Sequence, residues 1–295
     1  MKQILFIAIL LSFSSMVFCQ DLKESALDYF NKQEWKAAEK TYKQYLKNAP
    51  KDSLAWYNLA ISNFKTHDYK SAIKHFTKAR ENNFPAPNIV IGLSKTYAEQ
   101  GDKENLMKTL SHGADNGLAT YSLLTKDASF TKYQNYPDFK AILDKVALNA
   151  YPCLGQSNYR HFDFWIGEWD VFVNNRKVGE NSITMAQGGC AIHENYKTAG
   201  NYAGQSINFY DPIDKKWHQH WVGSGGDVYN YLETRREEGL LQFESKFMGP
   251  NGNISLSRLT FTLKEDGTVR QLFENSTDEG KTWTPSFDGL YKKKQ

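Results

Sequence analysis

Two periods divide the chain. Between residues 21 and 120, small and aromatic positions recur at a fixed distance: Ala26 returns as Ala60, Trp35 as Tyr69, Ala38 as Ala72 and Tyr42 as Phe76, each 34 residues on. A repeat of that length predicts a helix-turn-helix solenoid, with small residues where paired helices approach and aromatics filling the gap to the next pair. From Glu168 onward the period drops to two. Apolar and polar residues alternate over 168–174, 180–187, 191–198, 203–210, 216–222, 228–234, 240–247, 254–263, 268–275 and 282–291. Between these runs lie good turn formers: Asn174-Asn175, Gly188-Gly189, Asp211-Pro212, Gly225-Gly226, Pro250-Asn251-Gly252 and Asp266-Gly267. About ten short sequential strands with tight turns predict an antiparallel up-and-down meander, and closing it removes the exposed edges. A two-sheet sandwich is the alternative, but it needs longer crossovers than the sequence offers. The fold class is α + β in separate domains: an N-terminal α-solenoid over residues 20–120, capping helices and a bridge over 121–150, and a C-terminal β-barrel over 151–295.

The change of period falls at His161-Phe-Asp-Phe-Trp-Ile-Gly-Glu-Trp-Asp-Val-Phe-Val173. Phe162, Phe164 and Trp165 crowd a short lead-in, Gly167 allows a tight bend, and Trp169 opens an alternating run with Val171 and Val173. In the bridge, Phe130, Tyr133, Pro137, Phe139 and Leu143 mark helical segments expected to cover the third repeat. Asp138 is expected to cap a last helix from about Phe139 to Leu148.

The helical half resembles the tetratricopeptide repeat family. Trp56, Leu59, Ala60, Tyr69, Ala72, Phe76 and Ala79 carry the pattern in the second repeat, and Ala26, Tyr29, Ala38, Tyr42 and Pro50 carry it in the first. The third, about 87–120, keeps Leu93 and Tyr97 but has Leu106 and Leu110 at the Ala72 and Phe76 places, as a terminal repeat does. The resemblance implies a concave groove for a protein or peptide partner, with Asn58 at the place where the family often holds a peptide backbone. Gly92 and Glu99 do not support a basic clamp for a terminal carboxylate. A spacer docked on the barrel remains an equal alternative.

The barrel half is similar to lipocalin-like barrels, which begin with an aromatic plug, Gly-x-Trp and a strand, the Trp closing one end. The series Phe-Asp-Phe-Trp-Ile-Gly-Glu-Trp169, Gly-Gly-Cys190-Ala-Ile-His-Glu194, Gly204-Gln-Ser206…Tyr210-Asp211, Trp217…Trp221 and Ser276-Thr-Asp278-Glu-Gly280-Lys-Thr282-Trp283…Tyr291 resembles an uncharacterised bacterial family of lipocalin-like domains. That resemblance implies a fold and a cavity over roughly 158–292, without an established activity. It is distantly similar to nitrobindin-type barrels, which hold haem through a His.

Strand parity nominates the cavity. Trp217, Gln219 and Trp221 share one face and are placed inward, which turns His218 and His220 outward. The same reasoning puts Glu194 with Ile192 and Tyr196, Ser206 and Asn208 with Gly204 and Tyr210, Arg258 with Leu256 and Thr260, and Gln271 with Val269 and Phe273. Of these, Trp217, Gln219, Trp221, Glu194, Ser206, Asn208, Arg258 and Gln271 are the candidate ligand contacts, for a small apolar or aromatic ligand. Glu194 and Arg258 are equally readable as a buried pair that braces the barrel. They also suggest an alternative, an isomerase or hydrolase with Glu194 in acid-base work and Arg258 stabilising an anion. No nucleophile-base-orienter set is visible. A haem barrel is the third reading. It needs an inward histidine, and His193, His218 and His220 are expected outward with His161 in the plug, so no cofactor is expected. His218-x-His220 lacks a third metal ligand. A single Ser276-x-Asp278-x-Gly280-x-Thr282-Trp283 sequence reads as a hairpin device, not as one blade of a propeller.

Composition adds three limits. A net charge of +3 with no basic stripe argues against a nucleic-acid partner. Lys2, the apolar Ile4–Phe13 run and Val17-Phe18-Cys19 before Gln20 read as an export signal over 1–19, placing the mature chain in the periplasm or outside the cell, without stable membrane insertion. Phe18 argues for ordinary cleavage over lipidation at Cys19, which would make an outer-membrane lipoprotein. Cys153 and Cys190 remain; two buried thiols are expected, with a disulfide between them as the alternative.

Overall fold

The structure is a computed structural model that describes residues 20–248 and 254–294. The export-signal reading of 1–19 and the Pro250-Asn251-Gly252 turn lie outside the described residues. Two compact units divide between Ala150 and Tyr151.

The first unit is helical. A helix over 20–31 (α1) is followed by α2 (Trp35–Asn48), α3 (Ser53–Lys65), α4 (Tyr69–Glu81), α5 (Ala86–Gln100) and α6 (Lys103–Asp115). Each packs on the next in chain order from α2 to α6. The small positions of the repeat are the contact points: Ala26, Ala38, Ala60 and Ala72 have no exposed surface. Phe76 is fully buried and packs with Ile89 and Leu93 of the following helix. Asp52, Asp68 and Asp102 each accept a hydrogen bond from the backbone N–H three residues on, capping α3, α4 and α6. Beyond them come α7 (Tyr121–Lys126), a 3-10 turn at Ala128–Tyr133 and α8 (Pro137–Ala150). Phe130, Tyr133, Phe139 and Leu143 bury against Leu106 and Leu110, so the bridge closes the apolar face that the last helix pair leaves open. Asp138 does not cap α8. Pro137 begins the helix, where a missing N–H costs nothing, and Asp138 lies in the first turn, 3.2 Å from Lys103 Nζ.

The second unit is a closed ten-stranded antiparallel barrel: β1 (Gly167–Val173), β2 (Arg176–Ala186), β3 (Ala191–Thr198), β4 (Ala203–Asp211), β5 (Lys216–Gly223), β6 (Val228–Glu237), β7 (Leu240–Met248), β8 (Ile254–Leu263), β9 (Val269–Ser276) and β10 (Thr284–Lys293). Every strand pairs with its chain neighbours, and β10 returns to β1 with Trp169 opposite Lys293. The tight β1–β2 turn is made by Asn174 and Asn175, both at positive φ, a conformation Asn tolerates.

The lead-in fills one half of the interior. Phe162 stacks on Trp165 with ring centroids 4.8 Å apart and meets Trp217, Phe243 and Phe261 edge-on or tilted. Gly167 has φ +153 and bends the chain so that Trp169 turns back, its Nε1–H donating to the Trp165 carbonyl at 2.8 Å. Phe162, Trp165 and Trp169 have no exposed surface. Cys153 and Cys190 form a disulfide, which corrects the expectation of free thiols. It ties the lead-in to the residue preceding β3.

Among the described residues, no helix is long and apolar enough to cross a membrane.

Candidate functional site

Inside the barrel, the packed half gives way to a belt of polar side chains and then to a cavity. The belt follows from strand pairing. Glu194 of β3 stands opposite Ser206 of β4, and Asn208 of β4 stands opposite Gln219 of β5. Because alternate residues face inward, these fall in one layer with Asn181 of β2, Gln271 of β9 and Tyr291 of β10, all buried.

Hydrogen bonds of this layer reach Glu194 from two sides. Gln219 Nε2 donates to Asn208 Oδ1 at 2.7 Å, Asn208 Nδ2 to Ser206 Oγ at 2.9 Å, and Ser206 Oγ to Glu194 Oε2 at 2.6 Å. From the other side, Asn181 Nδ2 donates to Glu194 Oε1 at 2.7 Å and reaches the Tyr291 hydroxyl at 3.4 Å, which donates to Gln271 Oε1. Donors thus converge on one carboxyl group. A chain of this kind strengthens its own links in a low-dielectric interior. Burial is nevertheless the larger effect on Glu194, and it pushes the carboxyl up to about 7 against the opposing bonds from Ser206 and Asn181. Burial, with the nearby Glu194 charge second, also raises Tyr291 and Tyr196 above the ordinary tyrosine range.

Beyond the belt lies a cavity of about 520 Å³. Its floor is Glu194, Gln219, Gln271, Tyr231 and Tyr291, and its walls are largely aromatic: Tyr196, Trp221, Tyr229, Phe273 and Phe287. Gly204 makes room for one wall, since a Cβ there would meet the Trp221 ring at 2.1 Å. Toward solvent, Asp227 Oδ2 accepts from Trp221 Nε1 at 2.9 Å and from the Tyr202 hydroxyl at 2.8 Å. Burial would raise Asp227, but those two bonds outweigh it and hold the carboxylate below its usual range.

The structure sorts the residues nominated in the barrel into four groups. Glu194, Gln219, Trp221 and Gln271 line the cavity. Ser206 and Asn208 lie in the belt beside it and act through Glu194 and Gln219. Trp217 points inward but belongs to the packed half, its Nε1–H donating to the Asn158 carbonyl at 3.1 Å. Arg258 is on the outer face, and its inward assignment is corrected. Ser255, Ser257, Leu259 and Phe261 are the buried positions of β8. Arg258 instead pairs with Glu244 at 2.8 Å and lies 3.7 Å from the Trp283 ring centroid, so no Glu194–Arg258 pair forms. In the helical unit, Asn58 is 7% exposed and donates to the Tyr42 hydroxyl of α2 at 2.9 Å. Tyr196 and Phe273 were placed inward beside Glu194 and Gln271 without being singled out as contacts, and Tyr229, Tyr231 and Tyr291 were missed because no residue of β6 or β10 was nominated.

The histidines of the barrel sheet lie outside. His193 Nε2 contacts Gln205 on the outer face, and His218 and His220 stack on Phe209. His218 also contacts Asp214 at 2.8 Å, and Asp211, Asp214 and His218 bring ligand-type atoms within 4.8 Å of one another on the surface. That grouping was not legible in His218-x-His220, because Asp211 ends β4 and Asp214 lies in the turn before β5. The Ser276–Trp283 segment is a local hairpin device: Asp278 accepts from the Thr282 N–H at 2.9 Å and Trp283 Nε1–H donates to the Gly280 carbonyl at 3.0 Å.

Compared with models of known protein families and with curated proteins, the chain matches none.

Proposed function

We propose that the protein is an exported two-module binding protein: tetratricopeptide-type repeats for contact with a protein or peptide, and a lipocalin-like barrel that receives a small apolar or aromatic ligand. The cavity carries this reading. A space of about 520 Å³ with aromatic walls and a few converging polar groups at its floor has the character of a small-molecule site. Residues that fill a barrel for stability alone pack to the density of the Phe162–Trp165–Trp217 half, whereas this half stays open. Export rests on the Lys2–Gln20 pattern, and the partner role of the repeats rests on their resemblance.

The test is a panel of lipids, aromatics and tetrapyrroles scored by Trp fluorescence and melting temperature. The expected result is quenching by at least one member, lost in Trp221→Ala while the β-type circular dichroism persists. A panel that changes neither signal in the wild type removes the support for the barrel as a receptor.

An enzymatic reading keeps one observation in its favour, the Glu194 carboxyl raised to about 7, a useful value for proton transfer. It has lost its second group, since Arg258 is outside the cavity. Finding the bound ligand chemically unchanged after hours across pH would count against it.

A further inference from the structure

We propose that the barrel's ligand is an apolar or aromatic amine whose ammonium group sits on the Glu194 carboxyl at the cavity floor. This rests on the reading of the barrel as a receptor and names the chemistry of what it receives.

The first observation is charge. The ionisable side chains along the cavity are two carboxyls, Glu194 at the floor and Asp227 nearer solvent, together with tyrosines; no Lys, Arg or His lines it among the described residues. A ligand carboxylate or phosphate would meet like charge and no cation, which selects against it. A ligand cation meets an opposite charge at the floor and another on the way in.

The second observation is the sense of the hydrogen bonds. Ser206 and Asn181 already donate to Glu194, one to each oxygen. Each carboxyl oxygen retains a further lone pair, so the group still lacks donors. Asn181 Oδ1, in the same layer but off the cavity lining, is in addition a buried acceptor without a partner, so the layer as a whole is short of donors. Such a belt offers acceptors to whatever lies against it, and an ammonium group with three N–H donors answers that need.

The third observation is the wall. Tyr196, Trp221, Tyr229 and Phe273 surround the space above Glu194 with ring faces and edges. Aromatic rings attract a cation through their quadrupole and pack against the apolar body of the same ligand. An aromatic cage over a buried carboxyl is complementary to an amine at both ends.

The proton sets the expected pH dependence. The titratable groups facing Glu194 are Tyr196 on its own strand and Tyr291 from β10; its partners from β2 and β4, Asn181 and Ser206, do not ionise. Below pH 7 an amine must displace the carboxyl proton, so its affinity rises with pH until Glu194 is ionised.

The experiment compares three probes of one skeleton, 2-(1-naphthyl)ethylamine, 2-(1-naphthyl)ethanol and 1-naphthaleneacetate, titrated into the full chain by calorimetry from pH 5.5 to 8.5. The amine is expected to bind at least about tenfold more tightly than the alcohol at pH 8, the worth of one charge-assisted bond. The acetate is expected not to bind, and the amine's advantage is expected to shrink as pH falls through 7. Glu194→Gln should bring the amine to within about threefold of the alcohol, both titrated into the variant. The wild-type pH profile decides the matter even where that variant folds poorly. Alcohol binding equal to amine binding, or an amine preference that Glu194→Gln preserves, overturns the amine assignment and leaves the receptor reading standing. Silence from all three probes and from the broader panel removes the receptor reading, and the amine assignment with it.

Discussion

Ser206 donates its hydroxyl to the Glu194 carboxyl at 2.6 Å, and Glu194 is 2% exposed. The bond favours the ionised form, yet burial wins and the group titrates about 7 instead of 4.5. The folded barrel therefore keeps a proton that the unfolded chain releases. Stability from that proton is fully present below pH 4.5 and is lost as pH rises through 7, a change of about 3 kcal/mol. The measurement is thermal unfolding of the wild type against Glu194→Gln from pH 4 to 8.5. Their difference cancels every other titrating group, and it should move in favour of the variant as pH rises. A difference that stays flat would show that Glu194 ionises alike in both states.

Gly204→Ala should disturb the cavity from behind its wall. The added methyl would overlap the Trp221 ring, whose indole is already held by Asp227. Overpacking of this kind costs about 1–3 kcal/mol, and it should shift the Trp emission and weaken binding of any ligand that quenches it. Unchanged stability and emission would mean that Trp221 has another place to go.

Removing the disulfide by Cys153→Ser with Cys190→Ser should destabilise the barrel by up to about 4 kcal/mol, from the 37-residue separation of the bridged positions. Denaturant unfolding reads it. The loss should be confined to the barrel transition, because both cysteines belong to that unit.

Arg258→Ala tests the corrected orientation. Its bonds to Glu244 and its contact with Trp283 lie on the outer surface, so the substitution should cost no more than about 1 kcal/mol. Ligand affinity should not change. A large loss of binding would place Arg258 in the site after all.

Asn58→Ala should act on folding of the helical unit. The substitution leaves the buried Tyr42 hydroxyl without its partner, at a cost of about 1–3 kcal/mol by urea titration. A peptide-contact residue would instead lower affinity and leave the midpoint in place.

Strand and helix positions were largely legible because burial imposes a period that the sequence cannot hide. The parity of Trp217, Gln219 and Trp221 transferred correctly to Glu194, Ser206 and Gln271. It failed at β8, where Ile254 and Leu256 suggest one face and Leu259 and Phe261 the other. The buried set there includes Ser255 and Ser257, because Ser257 meets the Tyr231 hydroxyl at 2.9 Å inside the barrel. Leu256 is left outside, against the Gly280 turn. A partly polar interior removes the contrast on which parity depends. The disulfide was undecidable for another reason: two cysteines 37 residues apart carry no sign of whether a lead-in folds back to bring them together.

The return of β10 to β1 bears on how the molecule comes to exist. Each helix pair of the first unit can close as soon as its own residues are available, since its contacts are local. The barrel cannot: Trp169 and Val171 wait for Lys293 and Tyr291, and until those arrive both β1 and the growing sheet present an unpaired edge. Contacts so distant in sequence make formation slow and leave an interval in which strands of different chains can join by mistake. The two halves of one polypeptide are thus expected to mature at different rates. The repeats are ordered early, while the cavity remains unformed until its last wall is in place.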